Sequence, residues 1–88
     1  MSHATNKDLK NRLKRAHGHL AKIIAMVEDN REALETAQQL QAVVSALDKA
    51  KTILVTHHIE HHLEEAVGPL SDEARAKLGR LTDLAKYL

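Results

Sequence analysis

Hydrophobic residues recur at helical spacing and divide the chain into three segments. In the first segment, from about Asn6 to Val27, the spacing alternates between four and three, at Leu9, Leu13, Ala16, Leu20, Ile23 and Val27. This alternation is typical of the packed face of an α-helix. Asn6 is suited to cap the helix, and Asp8 would lie near the positive end of the helix dipole. The polar turn Glu28-Asp29-Asn30 then ends the pattern.

A second, longer segment runs from about Arg31 to Glu65 without glycine or proline. Its apolar positions keep the same spacing and lead into His57, His58 and His61; they are Ala33, Ala37, Leu40, Val43, Val44, Leu47, Ala50 and Leu54. At about 1.5 Å per residue, this segment predicts a rod of roughly 50 Å. The shorter first helix cannot cover a stripe of that length, so we expect other copies of the chain to cover the rest.

Gly68-Pro69 is expected to end the rod, and Ser71-Asp72-Glu73 to start a third helix with an N-cap and two acids. The predicted packing side of that helix consists of Leu78, Leu81, Leu84 and Leu88, and its outward side of Arg75, Lys77 and Arg80. The predicted fold is all-α, with three helices in a single domain over residues 1–88. Residues 1–6 are expected to form a flexible N-terminal arm.

Composition excludes several classes of protein. The chain has no cysteine, which rules out disulfides and thiolate metal sites. No apolar run reaches the ~18 residues of a membrane span, and the N-terminus lacks the apolar core of a signal peptide. We therefore expect a cytoplasmic protein. Without a Cys nucleophile, an HExxH sequence or a Gly-rich phosphate loop, we expect no enzymatic activity.

The formal net charge of +1 is unevenly distributed. Residues 1–27 hold six basic residues and one acidic residue, whereas residues 28–88 hold seven basic and eleven acidic residues. A basic first helix on an acidic body indicates either a phosphate-facing surface or an ordinary solvated helix face.

The stretch VTHHIEHHLEE, residues 55–65, contains four of the seven histidines. His57 and His61 lie four residues apart, as do His58 and His62, and two imidazoles at that spacing can hold one metal ion at about 2.0–2.1 Å. With no cysteine thiolate present, Ni(II), Co(II), Zn(II) or Cu(II) is favoured over Cu(I). The glutamates of the stretch could add a ligand or orient a ring, and His3 could add another ligand. The alternative is a polar helix end whose histidines interact with the helix dipole.

Two further histidines, His17 and His19, flank Gly18 in the basic first segment. We expect His19 to be a hydrogen-bonded structural residue and His17 to face solvent.

Three stretches resemble the CsoR/RcnR/FrmR family of metal- or formaldehyde-responsive repressors, over about residues 8–65. NRLKRAHGHL (11–20) is similar to the first-helix signature of the family, and QLQAV (39–43) to its Gln-Ile-x-Ala-Val. His58-x-x-x-His62 falls where the nickel/cobalt branch has its own His-x-x-x-His. The opening Met-Ser-His also resembles that branch, which uses an N-terminal histidine.

The resemblance implies an antiparallel dimer that assembles into a dimer-of-dimers tetramer and binds double-stranded operator DNA without a helix-turn-helix. By position, the implied DNA contacts are Arg12, Lys14, Arg15 and Lys49. The absence of Phe and Trp favours backbone and shape readout over base stacking.

One position departs from the family pattern. The near-invariant cysteine of the family falls on Ala33 here, which argues against thiolate-based sensing of Cu(I), formaldehyde or sulfur. The implied ligand set is then His58 and His62 from one chain with His3, Glu32 or Glu35 from another. His57 and His61 are additional to the family pattern and either replace lost ligands or form a site of their own.

The leading hypothesis is a tetrameric DNA-binding repressor derepressed by a divalent metal ion, most plausibly nickel or cobalt. Two alternatives stay open at the level of sequence. One is a non-regulatory helical protein for metal binding or assembly, and the other is a DNA-binding member that has lost effector sensing.

Overall fold

Three helices make up the regular structure of the protein. The computed structural model describes residues 3–85 and 87, with side chains from residue 5 onward. The helices are α1 (His3–Glu28), α2 (Ala33–Val67) and α3 (Asp72–Ala85), and the described part of the chain contains no strand. Together they measure 54 × 29 × 16 Å, with the long axis set by α2. The predicted all-α, three-helix fold with a long central helix is confirmed.

Helix α1 starts earlier and ends as predicted. It begins at His3, so Asn6 lies inside the helix and residues 3–6 do not form the predicted arm. The physical reason is that nothing between His3 and Asn6 stops a helix, because the stretch holds neither glycine nor proline. At the other end, the N–H of Arg31 donates to the carbonyl of Met26 at 3.0 Å, and Asn30 adopts a φ of 55°. This is a Schellman-type ending with asparagine in the left-handed position.

The boundary between α2 and α3 also follows the local sequence. Gly68 has a φ of 88° and donates its N–H to the carbonyl of Glu64 at 2.9 Å, and Pro69 follows. The hydroxyl of Ser71 accepts a hydrogen bond from the N–H of Ala74 at 3.0 Å, which confirms the predicted N-cap.

Helices α1 and α3 both pack on α2 and do not contact each other. Both run antiparallel to α2: His19 of α1 is bonded to Gln39 near the start of α2, and Arg75 of α3 to Glu64 near its end. The core of the described chain is small and mostly aliphatic, consisting of Leu9, Ala16, Ile23, Met26, Val43 and Ala50. In the described part of the chain, no helix is long and apolar enough to cross a membrane.

Much of the predicted apolar seam remains exposed. On α1, Leu13, Leu20 and Val27 are exposed. On α2, an exposed row follows the spacing of one helix face, and we call it the α2 stripe: Leu40, Val44, Leu47, Lys51, Leu54, His58 and His62. α1 and α3 occupy other faces of α2, so they leave this row uncovered.

Helix α3 packs on a different face from the one predicted. Ala74, Leu78 and Thr82 are half-buried, whereas Leu81 and Leu84 are 64% and 61% exposed. The prediction was wrong for the last two residues because α3 rests on α2 through the face that holds Ala74, Leu78 and Thr82, spaced four apart, and Leu81 and Leu84 lie to one side of that face. Leu88 lies outside the described residues.

Candidate functional site

The structure brings His58 and His62 together at their ring nitrogens. Their Nε2 atoms are 3.1 Å apart, and the two rings meet edge to face with centroids 4.5 Å apart and an interplanar angle of 84°. Both side chains are exposed on α2. In this arrangement one Nε2–H donates to the lone pair of the other Nε2, so both nitrogens already point into one shared space.

This separation fits a metal ion. Two nitrogen ligands at about 2.0–2.1 Å from one ion and 3.1 Å from each other subtend an angle of roughly 95–102° at the ion. That angle lies between those of square-planar and tetrahedral coordination. The separation of the two nitrogens is therefore compatible with one ion bound by both.

Glu65 lies near both His61 and His62. One of its carboxylate oxygens lies 3.9 Å from Nδ1 of His62, on the side of the ring opposite the shared Nε2 space. Its other oxygen lies 3.0 Å from Nε2 of His61. The 3.0 Å contact makes Glu65 the partner of His61, and the 3.9 Å separation from His62 is too long for a hydrogen bond.

The other predicted pair, His57 and His61, is not joined in this way. Nδ1 of His57 lies 3.3 Å from a carboxylate oxygen of Glu60, while His61 pairs with Glu65. His57 and His61 line a pocket of about 150 Å³ together with Glu60, Glu64 and Arg75. This pocket faces α3, so the two pairs lie on different faces of α2.

Arg75 closes that pocket from α3. Its Nη2 donates to Glu64 at 2.8 Å, and this hydrogen bond, followed by the charge of Arg75, lowers the pKa of Glu64 below its ordinary value of 4.5. The same contact raises the pKa of Arg75. The sequence of α2 could not indicate this ion pair, because Arg75, the partner of Glu64, lies on α3.

A single chain supplies only part of a coordination shell. Within the described residues, no three His, Asp or Glu side chains converge on one point. Glu32 and Glu35 lie at the other end of α2 from His58, roughly 35–40 Å away along the helix, and Glu35 is paired with Arg31. His3 is the first residue of α1, and its side chain lies outside what the structure describes.

The predicted DNA-contacting residues lie in three places. Arg12 and Arg15 flank a shallow pocket together with His19 and Ala46. Lys14 lies on another side of α1, beside Lys10. Lys49 lies in a groove of about 730 Å³ between α2 and α3, where Arg80 is also found.

The basic side chains of α1 are mostly unpaired. Arg12 lies 3.0 Å from Asp8, and within the described residues it is the one cation of α1 in an ion pair. Among the residues that the structure describes, the following α1 cations have no ion-pair partner: Lys7, Lys10, Lys14, Arg15 and Lys22. The family resemblance did not indicate Lys7, Lys10 and Lys22 as DNA contacts, although the charge count of residues 1–27 included them.

The two remaining predictions about histidines are confirmed. Nε2 of His19 lies 2.7 Å from Oε1 of Gln39, to which its N–H donates, so this residue joins α1 to α2. His17 is exposed.

The chain is similar to known regulators over almost its whole length. Residues 5–86 match the family described as metal-sensitive transcriptional repressors. The copper-sensing transcriptional repressor CsoR of Mycobacterium ulcerans is 36% identical over 77 residues, which cover 88% of this chain and 64% of the relative. CsoR of Mycobacterium tuberculosis H37Rv is 32% identical over 77 residues, covering 88% of this chain and 63% of the relative.

A further relative has a more similar length. The copper-sensing transcriptional repressor RicR of Mycobacterium tuberculosis H37Rv is 34% identical over 77 residues, covering 80% of each chain. The chain thus spans less than two thirds of the length of the CsoR relatives and four fifths of RicR. No solved structure matches the chain.

Proposed function

This chain belongs to the family of metal-sensitive transcriptional repressors, whose members are regulators and not enzymes, and from that premise we propose how it works. It binds double-stranded operator DNA as a homo-oligomer and is released by a divalent metal ion. The ion binds at a histidine-rich site between subunits. The observation that carries this proposal is the 3.1 Å approach of His58 Nε2 to His62 Nε2 on an uncovered face of α2.

The position of the two histidines supports a site between subunits. They continue the α2 stripe, whose leucines and valine are 42–51% exposed. An apolar row of this length, on a chain with so small a core, is suited to contact with a second copy. Copies that meet along the stripe would bring further donors to His58 and His62, and an antiparallel arrangement would bring the N-terminal end of α2, with Glu32 and Glu35.

The chemistry of the donors supports a divalent ion. Without cysteine in the chain, the site offers imidazole nitrogens and carboxylate oxygens, which suit Ni(II), Co(II), Zn(II) or Cu(II) better than Cu(I). The named relatives sense copper, but this chain has alanine at position 33, where the family carries a cysteine. We propose Ni(II) or Co(II) as the effector, with Zn(II) and Cu(II) as competitors.

The DNA-binding part of the proposal rests on charge. Residues 1–27 hold six basic residues and one acidic residue, and Arg12, Lys14, Arg15 and Lys49 are the proposed phosphate contacts. Each neutralised phosphate releases counterions, so the affinity for DNA should fall steeply with salt. A metal ion bound by His58 and His62 would also be coordinated by side chains of a second copy.

The test is DNA binding measured by fluorescence anisotropy, with duplex DNA from upstream of the coding region. Ni(II), Co(II), Zn(II) and Cu(II) are each titrated into the complex. We expect at least one of them to release the DNA from the parent protein but not from a His58→Ala/His62→Ala variant. A His57→Ala/His61→Ala variant is the matched control and should respond like the parent.

The alternative functions predict different results. Metal binding without any effect on DNA affinity would indicate a non-regulatory metal-binding protein. Salt-sensitive DNA binding that no metal changes would indicate a member that has lost sensing. Metal-free protein that binds no DNA would refute the repressor function.

A further inference from the structure

Gly18 lies in the middle of α1, and no contact within the described chain explains why this position is a glycine. Glycine is among the least favourable residues in a helix interior. It is usually kept where φ is positive or where a side chain would clash, but the positive-φ glycine of the described chain is Gly68. A Cβ built on Gly18 would meet no atom within 4 Å. Neither backbone conformation nor packing explains this glycine.

The surroundings of Gly18 are strongly cationic. At helical spacing, Lys14 and Arg15 lie one turn before Gly18 and flank it on either side, Lys22 lies one turn after it, and Lys7 extends this face towards the N-terminus. None of these four cations has an ion-pair partner within the described residues. The core residues Ala16 and Ile23 point the other way, towards α2, so this cationic face is turned to solvent.

These two observations together point to DNA and not to a second copy. Lys14 and Lys22 are about 12 Å apart along the helix axis. Gly18, which has no side chain, lies midway between them on the helix surface. Long cations on both sides of this glycine can bind phosphates while the helix backbone comes into van der Waals contact with the strand. A second helix placed there would have to bury unpaired lysines, which is unfavourable.

We propose that Gly18 is the point of close approach between α1 and the sugar-phosphate backbone of DNA, with Lys22 as an additional phosphate contact beside Lys14 and Arg15. This inference rests on the proposed DNA-binding function and names the position that sets how closely α1 meets the duplex. Gly18 is a positioning residue, because it acts through the distance of the helix backbone from the phosphates.

The test uses Gly18→Ala in the full chain, with Gly79→Ala as the matched control. Gly79 is also inside a helix, and a Cβ built on it would also meet nothing within 4 Å. Both substitutions should raise the thermal midpoint by roughly 2–6 °C, because alanine restricts the unfolded chain and favours the helix. Gly18→Ala alone should weaken DNA binding about tenfold, the effect of losing roughly one charge-assisted contact.

The weakening should be equal on upstream DNA and on an unrelated duplex of the same length, because a phosphate contact carries no base sequence. A more stable Gly18→Ala protein that binds DNA as the parent does would overturn the inference. A change in oligomer mass by light scattering would also overturn it and assign this face to a second copy. If the parent protein itself binds no DNA, the proposed function fails first, and the inference fails with it.

Discussion

Replacing Leu54 by alanine tests whether copies of the chain meet along the α2 stripe. Leu54 is 43% exposed in the single chain, and complete burial of a leucine side chain contributes about 1.5–3 kcal/mol. Covering the exposed part therefore contributes roughly 0.6–1.3 kcal/mol per subunit. In a two-fold symmetric pair the substitution counts twice, so association weakens by roughly 1.2–2.6 kcal/mol. We expect the dissociation constant of the pair to rise about tenfold to a hundredfold.

The assay is sedimentation velocity of the metal-free protein over a dilution series. Leu63→Ala is the matched control, because Leu63 is 41% exposed and lies nine residues further along α2, on its opposite side. Circular dichroism of both variants checks that the subunits remain helical. If Leu54→Ala leaves the dissociation constant unchanged, or if Leu63→Ala raises it as much, copies do not meet along the stripe.

Three further predictions follow from local contacts. Ser71→Ala removes the hydroxyl that caps α3 and should lower the free energy of unfolding by about 1 kcal/mol, measured by urea denaturation; Ser71→Asp should restore it. The lowered pKa of Glu64 means that its ion pair stabilises the fold above the ordinary pKa of 4.5 and that this contribution is lost as the pH falls through the lowered value. NMR titration should therefore show the pKa of Glu64 rising towards its ordinary value in Arg75→Ala, and an unchanged pKa would contradict the contact. Lys14→Ala should reduce the slope of log affinity against log salt by about 0.9 for each subunit that contacts the DNA, and a slope equal to that of the parent would mean that Lys14 binds no phosphate.

Most of the fold could be predicted because its signals are local. The spacing of apolar residues defines α1 and α2, Gly68-Pro69 ends α2, and Ser71 caps α3. The start of α1 could not be predicted in the same way, because a helix can extend through residues that neither favour nor forbid it. His3 to Thr5 are such residues.

The partial failure at α3 has a different cause. Leucines at Leu81 and Leu84 indicated a packing side, but which face of a short helix is buried depends on the helix it meets. α2 presents the His57 and Glu64 side there, and α3 meets it through the face that holds Ala74, Leu78 and Thr82. Sequence spacing reports which residues share a face, and it does not report which face is covered within one chain.

The sequence predicted the histidine pairs of the candidate metal site but did not distinguish one pair from the other. The four-residue spacing indicated two equivalent histidine pairs, and the structure separates them: His58 and His62 share a space, whereas His57 and His61 each pair with a carboxylate. The difference lies in the carboxylates that the rings meet, because Glu60 lies beside His57 and Glu65 beside His61. The four-residue spacing alone does not report which of the possible partners each ring takes.

The distance between the proposed sites limits how a metal ion can release DNA. Ala46 lies beside Arg12 and Arg15, and His58 follows it by about 18 Å along α2. Salt screens charges over about 8 Å under physiological conditions, so an ion at His58 and His62 acts only weakly on the cations of α1 within one subunit. The two sites share no residue, which also rules out direct competition for a side chain. The α2 stripe, however, contains both histidines and the leucines on which copies would meet. An ion bound there would therefore change how the subunits are arranged. The changed arrangement would alter the spacing of the cationic faces of α1 on the duplex.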